Sequence, residues 1–239
     1  RTQERLLAHP RDYAWIVNGL IASYCNEGSF ILNTTTLQTM LSENRDYYRA
    51  VQAAFPNPEY DAVADCTNHL FHKHTPALTP EFRPHALETL TELQAKADME
   101  PLILTNSLGD KVAHFLENTH LSKTPRILGD TRQYEMAPEW QMPTCTELSV
   151  TFVPGYPVDL RRPAYYDALV RESQNDVHLM VVADTFSMPG ALPLMMGIPF
   201  ILIHTAYTPD WCVQAVSDHP LGYVIQDLVE IIAIAESLC

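Results

Sequence analysis

HLMVVADTFSMPGALPLMMGIPFILIH, residues His178–His204, is the stretch whose reading decides the fold. The run Val177–Ala183 predicts a strand, Met188–Met196 a short helix and Pro199–His204 a second strand. Short, wholly apolar strands alternating with helices indicate a parallel sheet covered on both faces. The same alternation stands upstream. Apolar or small residues at Ala86, Leu87, Leu90, Leu93 and Ala97 make one helix face over His85–Ala97. Pro101–Leu104 then predicts a strand ending at Thr105-Asn106-Ser107, and Asp110–Thr119 and Ala164–Glu172 predict helices. In a doubly wound α/β sheet, ligands sit beyond the carboxyl ends of the strands. Thr105–Ser107 and Asp184–Ser187 are therefore the candidate site segments.

Upstream of this region the texture changes. Apolar residues recur at helical spacing in Tyr13–Tyr24, Leu37–Phe55 and Tyr60–Phe71, with breaks at Asn26-Glu27-Gly28-Ser29 and Pro56-Asn57-Pro58. That pattern predicts an all-helical unit. Thr75–Pro84 holds three prolines and reads as a hinge. The expected organisation is a helical region over residues 1–80 and an α/β core over residues 81–239.

The balance of 15 Lys+Arg against 29 Asp+Glu gives a formal charge of −14, which disfavours nucleic acid and anionic membrane as partners. No run approaches the roughly 20 apolar residues of a spanning helix, and Arg1–Arg5 lack the apolar stretch of a signal peptide. Five scattered cysteines (Cys25, Cys66, Cys145, Cys212, Cys239) form no CxxC pair, so a reducing, cytoplasmic setting is the expectation. His69, His72 and His74 lack accompanying ligands at useful spacing and read as a helix end.

The two strand ends, in this order, resemble motifs of the haloacid dehalogenase superfamily. LILTNS (Leu102–Ser107) resembles its second motif, in which a hydroxyl contacts the substrate anion. The opening 27-residue stretch resembles the fourth motif, HPLGYVIQDLVEII (His219–Ile232) resembles the closing segment, and RDYAWIVNGLIASY (Arg11–Tyr24) resembles the first cap helix of the 2-haloacid dehalogenase branch. The resemblance covers residues 10–235. It implies a doubly wound core with a helical cap, and a hydrolase that displaces halide or phosphate from a small anionic substrate through an aspartyl intermediate. Thr105 and Asn106 would hold the anion, with Ser107 beside them. Arg162 would neutralise charge, with Arg161 as the alternative third-motif residue. Asp184 would bind magnesium or orient water, and Tyr13, Trp15 and Ser187 would contact substrate. Magnesium is implied by phosphatase chemistry; no cofactor is implied by dehalogenase chemistry or by loss of activity. A homodimer and fusion to another domain are both open.

The departures concern chemistry. The family opens with a central strand ending in Asp-x-Asp, and no such stretch occurs here; Asp12-Tyr13-Ala14 follows polar His9 and Arg11. The expectation is that a segment upstream of Arg1 supplies that strand, or that another strand fills its place. The third-motif Lys is replaced by Arg, which is bulkier and stays charged. The second acidic residue of the fourth motif falls at Ser187 or Met188. These changes leave a second expectation open: a domain that kept the fold and serves binding or a non-hydrolytic reaction. Thr105 and Ser107 equally suit helix caps, and Arg161 and Arg162 a solvated pair.

Overall fold

The computed structural model describes residues 1–74, 81–143, 147–174 and 177–238. The expected hinge at Thr75–Pro84 lies partly outside them, as do Cys145 and Cys239. Helix α1 (Thr2–Ala8) leads into two strands, β1 (Ala14–Val17) and β2 (Leu20–Tyr24), paired antiparallel. Here the helical expectation for Tyr13–Tyr24 fails, and with it the all-helical cap. Asn18 and Gly19 adopt φ of 52° and 76°, and positive φ at both central positions makes the tight hairpin turn that Asn-Gly favours. Burial along β1 follows the two-residue period of a strand. Trp15 and Val17 are buried while Ala14 and Ile16 are half-buried. The outer edge of β1 is closed by Gln38, whose amide donates to the Ile16 carbonyl (2.7 Å) and accepts from the Ile16 N–H (2.8 Å), as a neighbouring strand would.

Three helices follow: α2 (Ser29–Glu43), α3 (Arg45–Ala54) and α4 (Ala62–His74). Their starts are chemically marked. The Asn44 side chain accepts from the N–H of Asp46 and Tyr47 at 3.0 and 3.1 Å, and Asp61 accepts from Val63 and Ala64 at 2.9 and 2.8 Å, satisfying amides that a helix leaves free.

The remainder is α/β as expected. Helix α5 (Ala86–Ala95) precedes β3 (Leu102–Leu104), α6 (Gly109–Glu117) and β4 (Arg126–Leu128), with β3 and β4 parallel. A second hairpin, β5 (Ser149–Val153) with β6 (Tyr156–Asp159), was not foreseen. After α7 (Pro163–Glu172) come β7 (Val181–Ala183), a π turn at Phe186–Gly190 and α8 (Ala191–Met195). The chain closes with β8 (Phe200–Ile203), α9 (Asp210–Ser217), β9 (Gly222–Ile225) and α10 (Glu230–Leu238). Strands β7, β8 and β9 form a parallel sheet with β8 central. Gly222 is needed where α9 turns into β9, because a Cβ there would stand 1.9 Å from the Val216 carbonyl oxygen.

The molecule is thus a mixed α/β structure with small parallel and antiparallel sheets. The expectation that Leu102–Leu104 and Met180–Ala183 share one sheet is not met: β3–β4 and β7–β8–β9 are separate ladders. Every residue of β8 is buried, whereas every residue of β3 and β7 is half-buried. Leu102 and Leu128, on one ladder, and Val177 and Leu179, on the approach to the other, line one cavity of about 370 Å³. The largest apolar cluster includes Tyr24, Tyr156, Phe186, Phe200 and Trp211, with Tyr156 stacked on Trp211 at 4.4 Å and 5°. A second cluster joins Trp15 and Val17 to Met136 and Met188, so the first hairpin is packed into the α/β region. Among the described residues no helix is long and apolar enough to cross a membrane.

Candidate functional site

Thr105 and Asn106 stand at the carboxyl end of β3, and their polar atoms are used locally. The Thr105 hydroxyl accepts from the Ser107 N–H (3.1 Å), its carbonyl accepts from the Thr131 N–H (3.1 Å) and hydroxyl (2.9 Å), and Asn106 Oδ1 accepts from the Gln133 N–H (2.8 Å). Neither Thr105 nor Ser107 caps α6, whose N-cap Leu108 carries no side-chain cap bond. Ser107 is exposed.

Gln133 carries the connection inward. Its carbonyl accepts from Arg162 Nη1 at 2.9 Å, and Arg162 Nη2 donates to the carbonyls of Ala22 (2.5 Å) and Ser187 (3.3 Å). Arg162 is 1% exposed, and desolvation pushes its guanidinium down to about 10, leaving it protonated at neutral pH. Arg162, expected to neutralise charge, has its Nη1 and Nη2 donors engaged by backbone carbonyls, while its buried Nε–H has no partner among the described residues. Arg161 is engaged as well. Its Nε meets both oxygens of Asp159 at 3.0 and 3.2 Å and its Nη1 donates to the Pro138 carbonyl at 3.1 Å; the Asp159 carboxylate raises its pKa.

Asp184 follows β7 directly, half-exposed and ion-paired with Arg83, whose side chain is 44% exposed. Ser187, expected to contact substrate, is buried and bound to Glu27. Glu27 is the residue that sequence reasoning missed. At 1% exposure its carboxylate accepts from the Ser23 hydroxyl (3.0 Å), the Tyr24 N–H (2.8 Å), the Ser187 hydroxyl and N–H (2.5 and 2.7 Å), the Phe186 N–H (3.3 Å) and the Cys212 thiol (3.7 Å). Burial and this carboxylate push the Cys212 thiol well above its usual range. One continuous chain of bonds thus runs Asn106–Gln133–Arg162–Ser187–Glu27. It joins the ends of β3 and β7.

The described residues supply one carboxylate toward the magnesium implied by phosphatase chemistry. Asp184 offers one carboxylate, already engaged by Arg83, and among the described residues no group of three or more His, Cys, Asp or Glu is placed to hold a metal ion.

A second ionic contact joins the approach to α5 with the end of β9. His85 Nδ1 lies 2.8 Å from both oxygens of Asp227, two residues beyond the strand. The pair raises the His85 pKa and lowers that of Asp227. A raised histidine contributes stability that is complete below its unfolded pKa and lost as pH rises through the folded one. A lowered aspartate contributes above its unfolded pKa and is lost as pH falls through the folded one. The contact is therefore fully formed from about pH 4 to 6.5, between the ordinary values of the two groups. In a proton NMR titration His85 should show a midpoint above 6.5, and Asp227→Asn should return it toward that value. An unshifted midpoint in the parent would contradict the pairing.

The aromatic expectations divide. Trp15, expected to contact substrate, is 2% exposed and stacked on Tyr134 at 5.6 Å within an apolar cluster. Tyr13 is half-buried and lines a cavity of about 850 Å³ between the first hairpin and helices α2, α3 and α4. That cavity lies away from the strand ends. Comparison with protein-family models, with curated proteins and with solved structures finds no match.

Proposed function

We propose that the chain is the larger part of a haloacid-dehalogenase-like hydrolase core, acting on a small anionic substrate through an aspartyl intermediate. The attacking aspartate would be carried by a strand supplied from outside these 239 residues. One observation carries the reading: two parallel ladders each end in a half-buried apolar strand, β3 and β7, paired on one edge only. Leu102 of β3 and Leu179, on the approach to β7, border one cavity. A strand filling that position would complete a sheet in the order β4-β3-strand-β7-β8-β9, a doubly wound arrangement. Its carboxyl end would then stand between Thr105-Asn106 and Asp184. The carboxylate would displace halide or an alkoxide, and water would cleave the resulting ester or acyl phosphate. Free thiols at Cys25, Cys66 and Cys212 suit a cytoplasmic setting.

A second reading is favoured by the engagement of Arg161, Arg162 and Asp184: a domain of the same fold that binds an anion without hydrolysing it. Turnover of 4-nitrophenyl phosphate and 2-chloropropionate, with and without magnesium, separates the two. The chain alone should turn over neither. A fusion placing an apolar strand ending in Asp-x-Asp ahead of Arg1 should turn over one, and lose on the order of 10⁴ to 10⁶ in rate when its first Asp is removed. A silent fusion would favour the second reading. Robust turnover by the unfused chain that vanishes in Asp184→Asn would place a nucleophile among the present residues and overturn the strand assignment.

A further inference from the structure

We propose that the cavity between the first hairpin and helices α2–α4 binds an organic monocation with an apolar or aromatic body. It is independent of the site at the strand ends. The hairpin separates the two: Trp15 and Val17 pack on Met188, beyond Asp184, while Ala14 and Ile16 face the cavity. Its volume of about 850 Å³ falls within the range of small-molecule pockets, roughly 300 to 1,000 Å³.

The lining sets the ligand class. Tyr13, Tyr48, Phe55 and Tyr60 supply four aromatic rings, and Ile16 and Ile21 supply aliphatic wall. Ring faces attract cations, more strongly where water is excluded. The charged lining residues are Asp12, Glu43, Asp61 and Arg11, three acids to one base. Arg11 is held over the Tyr156 ring at 5.0 Å and Glu43 is paired with Arg5, so Asp12 and Asp61 are the acids left to a ligand. Asp61 has one oxygen committed to the start of α4. Asp12, exposed, has no side-chain partner among the described residues. The protein itself demonstrates the chemistry at this edge. Arg5 places its guanidinium carbon 5.5 Å from the Tyr13 ring centroid and its Nη2 2.6 Å from Glu43, a cation held between a ring and a carboxylate. A ligand amine over the remaining rings, directed at Asp12, would repeat that arrangement. An anion would meet the acidic rim and the −14 charge of the chain.

The test uses three probes of one shape: 4-phenylbutylamine, 4-phenylbutan-1-ol and 4-phenylbutyrate, titrated into the full chain by calorimetry and amide NMR. The amine should bind about tenfold more tightly than the alcohol, a difference of about 1.4 kcal/mol, and the carboxylate should not bind. Shifts should fall on Tyr13, Tyr48 and Tyr60. Asp12→Asn should weaken the amine several-fold and leave the alcohol unchanged. Ala62→Trp, which fills the cavity from its α4 wall, should abolish both, with amide spectra confirming the fold. Equal affinity for amine and alcohol, preference for the carboxylate, no binding of any probe, or binding indifferent to Ala62→Trp would each overturn the proposal. None of these readouts involves hydrolysis.

Discussion

Glu27→Leu is expected to lower the unfolding free energy by about 4 kcal/mol, at the upper end of what single substitutions do. The carboxylate accepts from six donors on three separated segments: Ser23 and Tyr24 at the end of β2, Phe186 and Ser187 in the π turn, and Cys212 in α9. Leucine has similar volume and no acceptor, so buried N–H and O–H groups lose their partners. Each orphaned group costs roughly 1–3 kcal/mol before relaxation, and relaxation here means moving the π turn that follows Asp184. The substitution also leaves the buried Arg162 without the nearby negative charge that favours its protonated form. Against a typical total of about 5–15 kcal/mol for a folded domain, the loss would leave a marginal protein. Glu27→Gln keeps one acceptor oxygen and should cost about half as much. Urea denaturation of the three proteins is the measurement, with equal slopes required so that midpoints report stability. A leucine variant within about 1 kcal/mol of the parent would mean that water or rearrangement satisfies these donors, and that Glu27 does not hold the turn.

Several parts of this structure were legible in the residues and others were not, for definable reasons. Leu102–Leu104 and Phe200–Ile203 are continuous apolar runs, and β3 and β8 occupy them. Helix α7 begins at Pro163, where the fixed φ of proline suits a first turn. The placement of Thr105, Asn106 and Asp184 at strand ends followed from the same alternation. The first hairpin was misread because Tyr13, Ile16, Leu20, Ile21 and Tyr24 satisfy a helical period, whereas the residues that β1 buries are Trp15 and Val17. The Asn18-Gly19 pair held the answer, since positive φ at both positions is incompatible with a continuous helix. Strand partners are a different matter. Nothing local in Val181–Ala183 says whether its second edge meets β3, because pairing is fixed by what else fills the space.

Side-chain roles were the least legible. Arg162 and Arg161 are neighbours of the same type, yet one is 1% exposed among carbonyls and the other grips Asp159. The difference arises from Ala22 and Ser187, residues distant in sequence whose carbonyls converge on one guanidinium. Glu27 sat within a turn-forming cluster, where a charged residue is ordinarily solvated. Only the π turn brings Phe186 and Ser187 amides to it. A buried network becomes visible in a sequence only when all of its members are recognised together.

Arg162→Met is expected to cost about 3–5 kcal/mol, the usual consequence of removing one partner from a buried charged network. Three carbonyls, of Ala22, Gln133 and Ser187, would lose a charged donor, and Glu27 would keep a buried charge with its compensation removed. Arg162→Lys should recover little of this. An ammonium is a compact charge and does not span carbonyls that a planar fork reaches from one position. The two network members meet at Ser187, whose N–H and hydroxyl serve Glu27 and whose carbonyl serves Arg162. Their effects should therefore be non-additive: Glu27→Gln combined with Arg162→Met should be less destabilising than the sum by about 1 kcal/mol or more. The same series decides between a structural arginine and an anion-binding one. A structural arginine gives a lysine variant that is strongly destabilised, with any rise in Tm on adding phosphate equal in parent and variant. An arginine facing substrate gives the reverse, a lysine variant within about 1 kcal/mol of the parent that has lost its response to phosphate. That second outcome would return Arg162 to the role suggested by its place before Pro163. It would also require the carbonyls of Ala22, Gln133 and Ser187 to find other donors.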